Sequence, residues 1–402
     1  MSAQALRLPR SGFGRGHVQA VAGCYFVASF AALGLPPYLT QILPELGDHQ
    51  ARWAGVLYIV PTVFGALGAP LWGRLADRFG RKRLLLRAQL GLAVSFLLAG
   101  WADSMATFTV ALVLQGILGG TFAASNGYLG AALEGPALSK ALTLMQGSAR
   151  AALVVAPIVV GSLSGWLSPH RQYALLAVLP LTAALLLAAL PEPEPVEQTQ
   201  SRPETVDEAA PLVSLKALYA LEFAFVFSTV ISFPYLIALV EDRIPGTSPG
   251  LSGVLFALPH LVYLVSALAV HAVFRDRPLA GIALGFACIA LGLAGHGVAG
   301  SLTSLIAVRL LLGAGLTLGL VSLSVLAADC AKGRAPGGMF GALEFFSKAG
   351  AVAAGLAAAA GTARFGPAAP VLIGGAAAAL TVLATLLPRL LPSPNHRTRR
   401  SS

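Results

Sequence analysis

Gly73-Arg74-Leu75-Ala76-Asp77-Arg78-Phe79-Gly80-Arg81-Lys82-Arg83 is a basic stretch punctuated by two glycines and set between two apolar runs, 53–75 and 84–102. The glycines permit a tight turn and close helix approach, and the bases can anchor that turn at an anionic membrane surface. Working outward, the pattern recurs: hydrophobic stretches of about 20 residues alternate with short polar or basic clusters. Of 402 residues, 56% are hydrophobic and 11% charged, less than half the ~25% charge of a soluble domain. The chain therefore reads as an all-α membrane protein with twelve transmembrane helices. The expected spans are 18–43, 53–75, 84–102, 106–132, 141–166, 172–190, 215–239, 250–273, 279–298, 302–327, 340–361 and 367–388. Connectors this short leave no room for a catalytic domain, so no enzyme is expected. The absence of a Gly-Lys-Ser/Thr phosphate loop removes direct ATP drive.

The net charge of +10 reports topology. With the N-terminus in the cytoplasm, twenty of the 27 bases fall on the cytoplasmic side, four (Arg52, Arg171, Arg243, Arg364) on the other, and Arg150, Arg309 and Lys348 inside spans. That bias places both termini in the cytoplasm of an inner-membrane protein and makes nucleic acid an unneeded partner. Cys24, Cys288 and Cys330 show no paired spacing and read as packing residues, with no metal or cofactor implied. The basic leader before the first hydrophobic run lacks a cleavage site, so that run is expected to remain as span 1.

Between 191 and 214 the sequence PEPEPVEQTQSRPETVDEAAPLVS is acidic and without apolar periodicity, a flexible linker. It separates an N-terminal tail (1–17) and six-helix bundle (18–190) from a second bundle (215–388) and C-terminal tail (389–402). GVLYIVP at 55–61 returns as GVLFALP at 253–259, and Pro37-Tyr38-Leu39 as Pro234-Tyr235-Leu236, at offsets of 198 and 197. The same offset sets Gly116 opposite Gly313, and Gln146 and Arg150 opposite Glu344 and Lys348. Two pseudo-symmetric six-helix bundles of one topology imply a parallel repeat, with a mid-membrane substrate site and alternating access by rocking.

The stretch 73–83 resembles the G-x-L-a-D-r-x-G-r-k signature of the major facilitator superfamily, in its usual place between spans 2 and 3. The resemblance covers the chain between its tails and implies the major facilitator fold. It further implies that Gly73, Asp77, Arg78, Gly80, Arg81 and Lys82 serve a conformational switch, with Asp77 latching the cytoplasmic ends. Phe274-Arg275-Asp276-Arg277 is a degenerate second copy. Drug and proton antiporters of this kind carry R-x-x-Q-G in span 4. Here Leu112-Val113-Leu114-Gln115-Gly116 keeps the glutamine and lacks the arginine, which stands instead in span 10 as Arg309. Span 5 reads Ala156-Pro157-Ile158-Val159-Val160-Gly161, similar to the antiporter motif. Pro157 and Gly161 are expected to kink the helix and pack it closely on span 8, and with Arg309 they complete the residues expected to serve the conformational switch.

Ions at mid-bilayer cost several kcal/mol on most estimates, so those retained are candidate site residues. Arg150 and Lys348 lie about 14 Å into a core about 30 Å thick. Each has a polar companion one turn earlier, Gln146 and Glu344, and these four are expected to line the cavity. Arg150 is the best candidate for an anionic group, since guanidinium can hold a carboxylate bidentately, while Glu344 and Lys348 could also simply neutralise one another. Arg309, about 10 Å from the outer face, is expected either to snorkel or to pair within the bundle. Glu222 in span 7 has no base in its own helical turn, Lys216 lying six residues back. It is the first choice for proton coupling and Glu344 the second. Gln115, His260 (after Pro259), Tyr38, Tyr235 and Asn126 are further cavity candidates, equally explained by packing.

The expected function is secondary transport, as proton-coupled efflux of a small organic molecule by a monomer. The basic midplane residues favour an anionic or carboxylate-bearing substrate, and QGSARAALVVAPIVVG in span 5 resembles siderophore exporters of the superfamily. The alternatives are a multidrug antiporter for lipophilic cations, a proton-coupled uptake symporter, and a membrane scaffold that moves nothing.

Overall fold

The computed structural model describes residues 14–133, 135–192, 212–331 and 336–390, with the surroundings of Pro70, Gly73, Asp77, Gly135, Pro136, Ser139 and residues 336–338 and 387–390 outside that description. Both tails and the linker expected at 191–214 fall largely outside the described residues. All regular structure within them is helical. Among the described residues, eleven helical segments are long and apolar enough to cross a membrane, and the remaining expected span, 53–75, lies in a helix whose shorter apolar part is Ala54–Ala69.

The chain groups into two compact units, Met1–Glu204 with Ser248–Ala257, and Thr205–Thr247 with Leu258–Ser402. The first contains α1 (Arg15–Gly34), α2 (Leu39–Ile42), α3 (Ala54–Phe79), α4 (Arg81–Trp101), α5 (Met105–Leu118), α6 (Thr121–Ala132), α7 (Gly135–Leu163), α8 (Pro169–Leu176) and α9 (Val178–Ala188). The second contains α10 (Leu215–Val230), α11 (Leu236–Arg243), α13 (Pro278–His296), α14 (Leu302–Ala331), α15 (Pro336–Phe365) and α16 (Ala369–Leu390). Helix α12 (Pro249–Phe274) starts in the first unit and continues in the second. The division therefore differs from one made at the linker alone.

Helix pairing inside each unit follows one scheme. In the first, α1 packs on α7 and α9, and α4 on α5 and α9; in the second, α10 packs on α15 and α16, and α13 on α14 and α16. The repeat extends to small features. Pro36–Tyr38 and Phe233–Tyr235 are both single 3-10 turns, 197 residues apart. Ser104 and Ser301, also 197 apart, each begin a span: the Ser104 hydroxyl accepts from Thr107 N and the Ser301 hydroxyl from Ser304 N, while Thr107 and Ser304 return the bond to the serine N–H. Each box satisfies donors that a helix start leaves open. Gly116 and Gly313 do equivalent work. A Cβ on Gly116 would lie 2.7 Å from Pro61 O, and one on Gly313 2.9 Å from Pro259 Cα.

The cores are apolar and separate. Val21, Tyr25, Leu85, Leu129, Met145 and Leu187 pack together in the first unit, and Phe225, Ile282, Phe286, Leu312, Leu316 and Leu323 in the second. Cys24 and Cys330 are buried and Cys288 half-buried, all as free thiols.

Candidate functional site

Proline at position 157 lacks the N–H that would close the helical ladder one turn back. It sits within α7, and its own carbonyl accepts a hydrogen bond from the Tyr38 hydroxyl at 2.6 Å. The same hydroxyl lies 3.1 Å from Pro249 O, at the start of α12. Gly161 and Gly253 close this joint. A Cβ on Gly161 would run into Pro249 O and the Tyr38 hydroxyl, and one on Gly253 would lie 2.7 Å from Pro157 C and from that hydroxyl. Spans 5 and 8 thus meet backbone to backbone here, as Pro157 and Gly161 lead one to expect. Tyr38 itself is fully buried, so in this conformation it braces the joint and does not face a cavity. Tyr235 and His260 are likewise buried, the imidazole edge-on to Phe233 at 5.8 Å.

The glycine-punctuated turn has a defined anchorage. Gly80 adopts φ +96 and ψ 146, a region open to glycine and closed to other residues. A Cβ there would also meet Glu192 Oε1 at 2.8 Å. Lys82 Nζ donates to Ala188 O at 2.9 Å and to Leu190 O, capping the carbonyl end of span 6. A cation at a helix C-terminus is favourable in both charge and hydrogen bonding. Tyr128 donates to Pro191 O at 2.7 Å, reinforcing the same end. Arg78 is exposed beside the Phe79 ring, and a Cβ on Gly127 would lie 3.1 Å from Arg81 Nη1. The latch expected of Asp77 concerns a side chain outside the described residues, as does Gly73.

Among the intramembrane charges, Glu344 and Lys348 form an i,i+4 ion pair at 3.3 Å, both partly exposed. Arg150 is half-buried on α7, one turn beyond the exposed Gln146. Gln146 and Arg150 belong to the first unit, and Glu344 and Lys348 to the second. Arg309 is 1% exposed inside α14, which rules out snorkelling and leaves its charge within the bundle. Glu222 is half-buried on α10. Among the described residues no group of His, Cys, Asp and Glu could hold a metal ion.

A further cluster lies in span 4, which is broken at its centre. Helix α5 ends at Leu118, Gly120 takes a left-handed φ of +82, and α6 resumes at Thr121. Two donors from neighbouring helices take the released carbonyls in three bonds: Trp72 Nε1 bonds Ile117 O at 2.6 Å, and Arg87 Nη1 bonds Leu118 O at 2.8 Å and Ile117 O at 3.4 Å. The Arg87 guanidinium stacks on the Trp72 ring, 3.5 Å from its centroid. Gln115 and Asn126 flank the break, Asn126 Oδ1 being buried with no hydrogen-bond partner among the described residues. Arg87 counts toward the topological charge bias, yet it acts inside the protein. The adjacent glycines in an otherwise apolar span are the sequence signal that marks the place.

A family model described as Major Facilitator Superfamily matches residues 21–295, more than half of the chain. The chain belongs to the major facilitator superfamily. It is a multi-pass membrane protein of that superfamily, whose members are transporters and not enzymes. The chain is similar to the "Multidrug resistance protein MdtG" of Proteus mirabilis, 32% identical over 168 residues, 41% of this chain and 40% of that one. The MdtG of Enterobacter lignolyticus is 29% identical over 262 residues, 61% of each chain. The chain thus spans about two-fifths of the length of the first of these relatives and three-fifths of the second. Solved structures with the same fold include a POT family transporter in complex with 5-aminolevulinic acid (TM-score 0.76, 12% identity, 95% and 98% coverage). Another is the human organic anion transporter MFSD10 (TM-score 0.66, 19% identity, 92% and 98% coverage).

Proposed function

We propose that this transporter is a proton-coupled exporter of small organic molecules, acting as a monomer in a bacterial inner membrane with both termini in the cytoplasm. One observation carries the export reading: the antiporter-like span 5, which carries Pro157 and is packed against the first turns of α12 through Gly161 and Gly253. The similarity to multidrug resistance proteins supports the same direction and favours drug-like, amphipathic cargo. Gln146, Arg150, Glu344 and Lys348, with Gln115 and Asn126, are the side chains proposed to meet substrate. Protonating Glu344 would release its 3.3 Å pairing with Lys348, and Glu222 offers a second carboxyl within a span. These two are the proposed proton carriers.

A second reading, export of a carboxylate-bearing molecule such as a siderophore, rests on Arg150. Its helix carries no acidic residue along 135–163, and guanidinium remains charged in the membrane. Proteoliposomes with an imposed pH gradient separate the two. Efflux of a lipophilic cation that survives Arg150→Ala and is lost in Glu222→Gln or Glu344→Gln supports drug-type export. Efflux of a carboxylate probe that Arg150→Ala abolishes supports the second reading. Transport of either probe unaffected by the gradient and by both glutamate substitutions would sink proton coupling.

A further inference from the structure

Beside the break in span 4 the protein presents a groove of about 410 Å³. Its lining is apolar at Leu86, Leu90, Gly91, Val94 and Leu118, and among the described residues the charged lining residues are Arg83 and Arg87. Leu90 and Val94 are about half exposed. The two arginines are four residues apart on α4, hence on one face about one turn from each other. Arg83 lies near the basic end of the helix and Arg87 one turn deeper. Gly91 is required for the shape, since a Cβ there would lie 2.6 Å from Leu118 Cβ.

The groove has the layout of an amphiphile: two cations at one end and a strip of aliphatic side chains leading away along the helix. Arg83 is exposed. Arg87 spends Nη1 on the carbonyls of Ile117 and Leu118, its Nε is buried with no hydrogen-bond partner, and no described residue accepts from Nη2. Among the described residues no acid lines the groove to compete for the guanidinium groups. A phosphodiester suits this arrangement, because arginine recognises phosphate with charge and fixed donors together.

We infer that the groove is a binding site for an anionic phospholipid, its phosphate held by Arg83 and Arg87 and an acyl chain laid along Leu86, Leu90 and Val94. The lipid would also hold the Arg87 guanidinium in its seat over Trp72, and so reinforce the cap on the broken end of α5. The site is independent of which substrate the protein carries.

The test uses the purified full-length chain, titrated with phosphatidylglycerol or with phosphatidylcholine of identical acyl chains, and in a third arm with inorganic phosphate. Thermal stabilisation and native mass spectrometry are the readouts. Phosphatidylglycerol should stabilise the protein and be retained in preference to phosphatidylcholine. Arg83→Gln, which touches no described hydrogen-bond partner, should weaken that retention about fivefold, as expected for one basic residue at an anionic surface. Leu90→Trp, which fills the groove and leaves both arginines, should weaken retention as well. Equal retention of the two lipids, or retention unchanged in both variants, would overturn the site. Inorganic phosphate reproducing the full stabilisation would also overturn it, by showing that the chain of the lipid contributes nothing.

Discussion

Span 4 and span 10 occupy the same place in the repeat and solve their packing in opposite ways. Span 10 is a single helix of 30 residues, and where span 4 has Gly119 and Gly120 it has Leu316 and Thr317. Its contact with α13 is made by glycines: a Cβ on Gly285 would lie 2.7 Å from Gly319 N, and one on Gly315 2.7 Å from Gly285 O. Small residues let the backbones approach until dispersion does the work. Span 4 gives up a continuous ladder, and the freed carbonyls are then held by Arg87 and Trp72. A carbonyl facing hydrocarbon without a donor is costly, so the break and the arginine require each other. Duplicated sequence has thus produced one half that is tightened by absence of side chains and another that is opened and plugged by a charge.

The contrast can be attacked at four points. The largest effect is expected in the tight half, where Gly285→Val forces side-chain atoms onto the α14 backbone. Overpacking of roughly 1–3 kcal/mol or more should appear as a large fall in melting temperature, and a melting point within a degree of the parent would show that the glycine contact is not close. Next, Arg87→Met strips the cap from α5 and should cost about 1–3 kcal/mol for the unsatisfied carbonyl; Arg87→Lys should recover only part, because ammonium cannot stack on Trp72 as guanidinium does. Equal melting of Arg87→Met and parent would dissociate the break from its plug.

The third point transplants one solution into the other half. Gly119→Leu with Gly120→Thr introduces the span 10 residues and penalises the left-handed turn by roughly 1–2 kcal/mol. The protein should fold, slow amide exchange at 117–121 as the helix heals, and transport more slowly. Unchanged exchange would mean that tertiary packing, and not the glycine pair, fixes the break. The smallest effect belongs to what the halves share. Ser104→Ala and Ser301→Ala should each lose about 1 kcal/mol of cap, by similar amounts in thermal denaturation, whereas a large difference would show that the two caps have diverged.

Much of this was open to reading from residues alone. The expected spans 106–132 and 302–327 correspond to α5 with α6, Met105–Ala132, and to α14, Leu302–Ala331, because hydrophobic length is what a bilayer demands. The close approach at Gly161 and the repeat at offsets 197 and 198 were equally visible. Hydropathy is blind, however, to a reversal of φ inside an apolar run, so the break at Gly120 did not register, and Arg87 passed for one more topological charge. The polar candidates fared unevenly for a related reason. Tyr38, Tyr235 and His260 look alike in sequence whether they face a cavity or a neighbouring helix, and only three-dimensional packing shows all three buried. The pair Glu344–Lys348 could be read at once, since its spacing alone brings the groups together.

Because Tyr38, Pro157 and Gly161 grip residues at the start of α12, the first compact unit borrows Ser248–Ala257 from beyond the linker. Recombination between relatives at the linker would therefore sever partners that must be inherited together. A chimera carrying a foreign second half would present foreign atoms to Gly161 at Pro249, where there is no space for error. Drift at Gly161 and Gly253 is consequently coupled across nearly a hundred residues of chain, and a viable exchange has its natural crossover within α12, after Ala257.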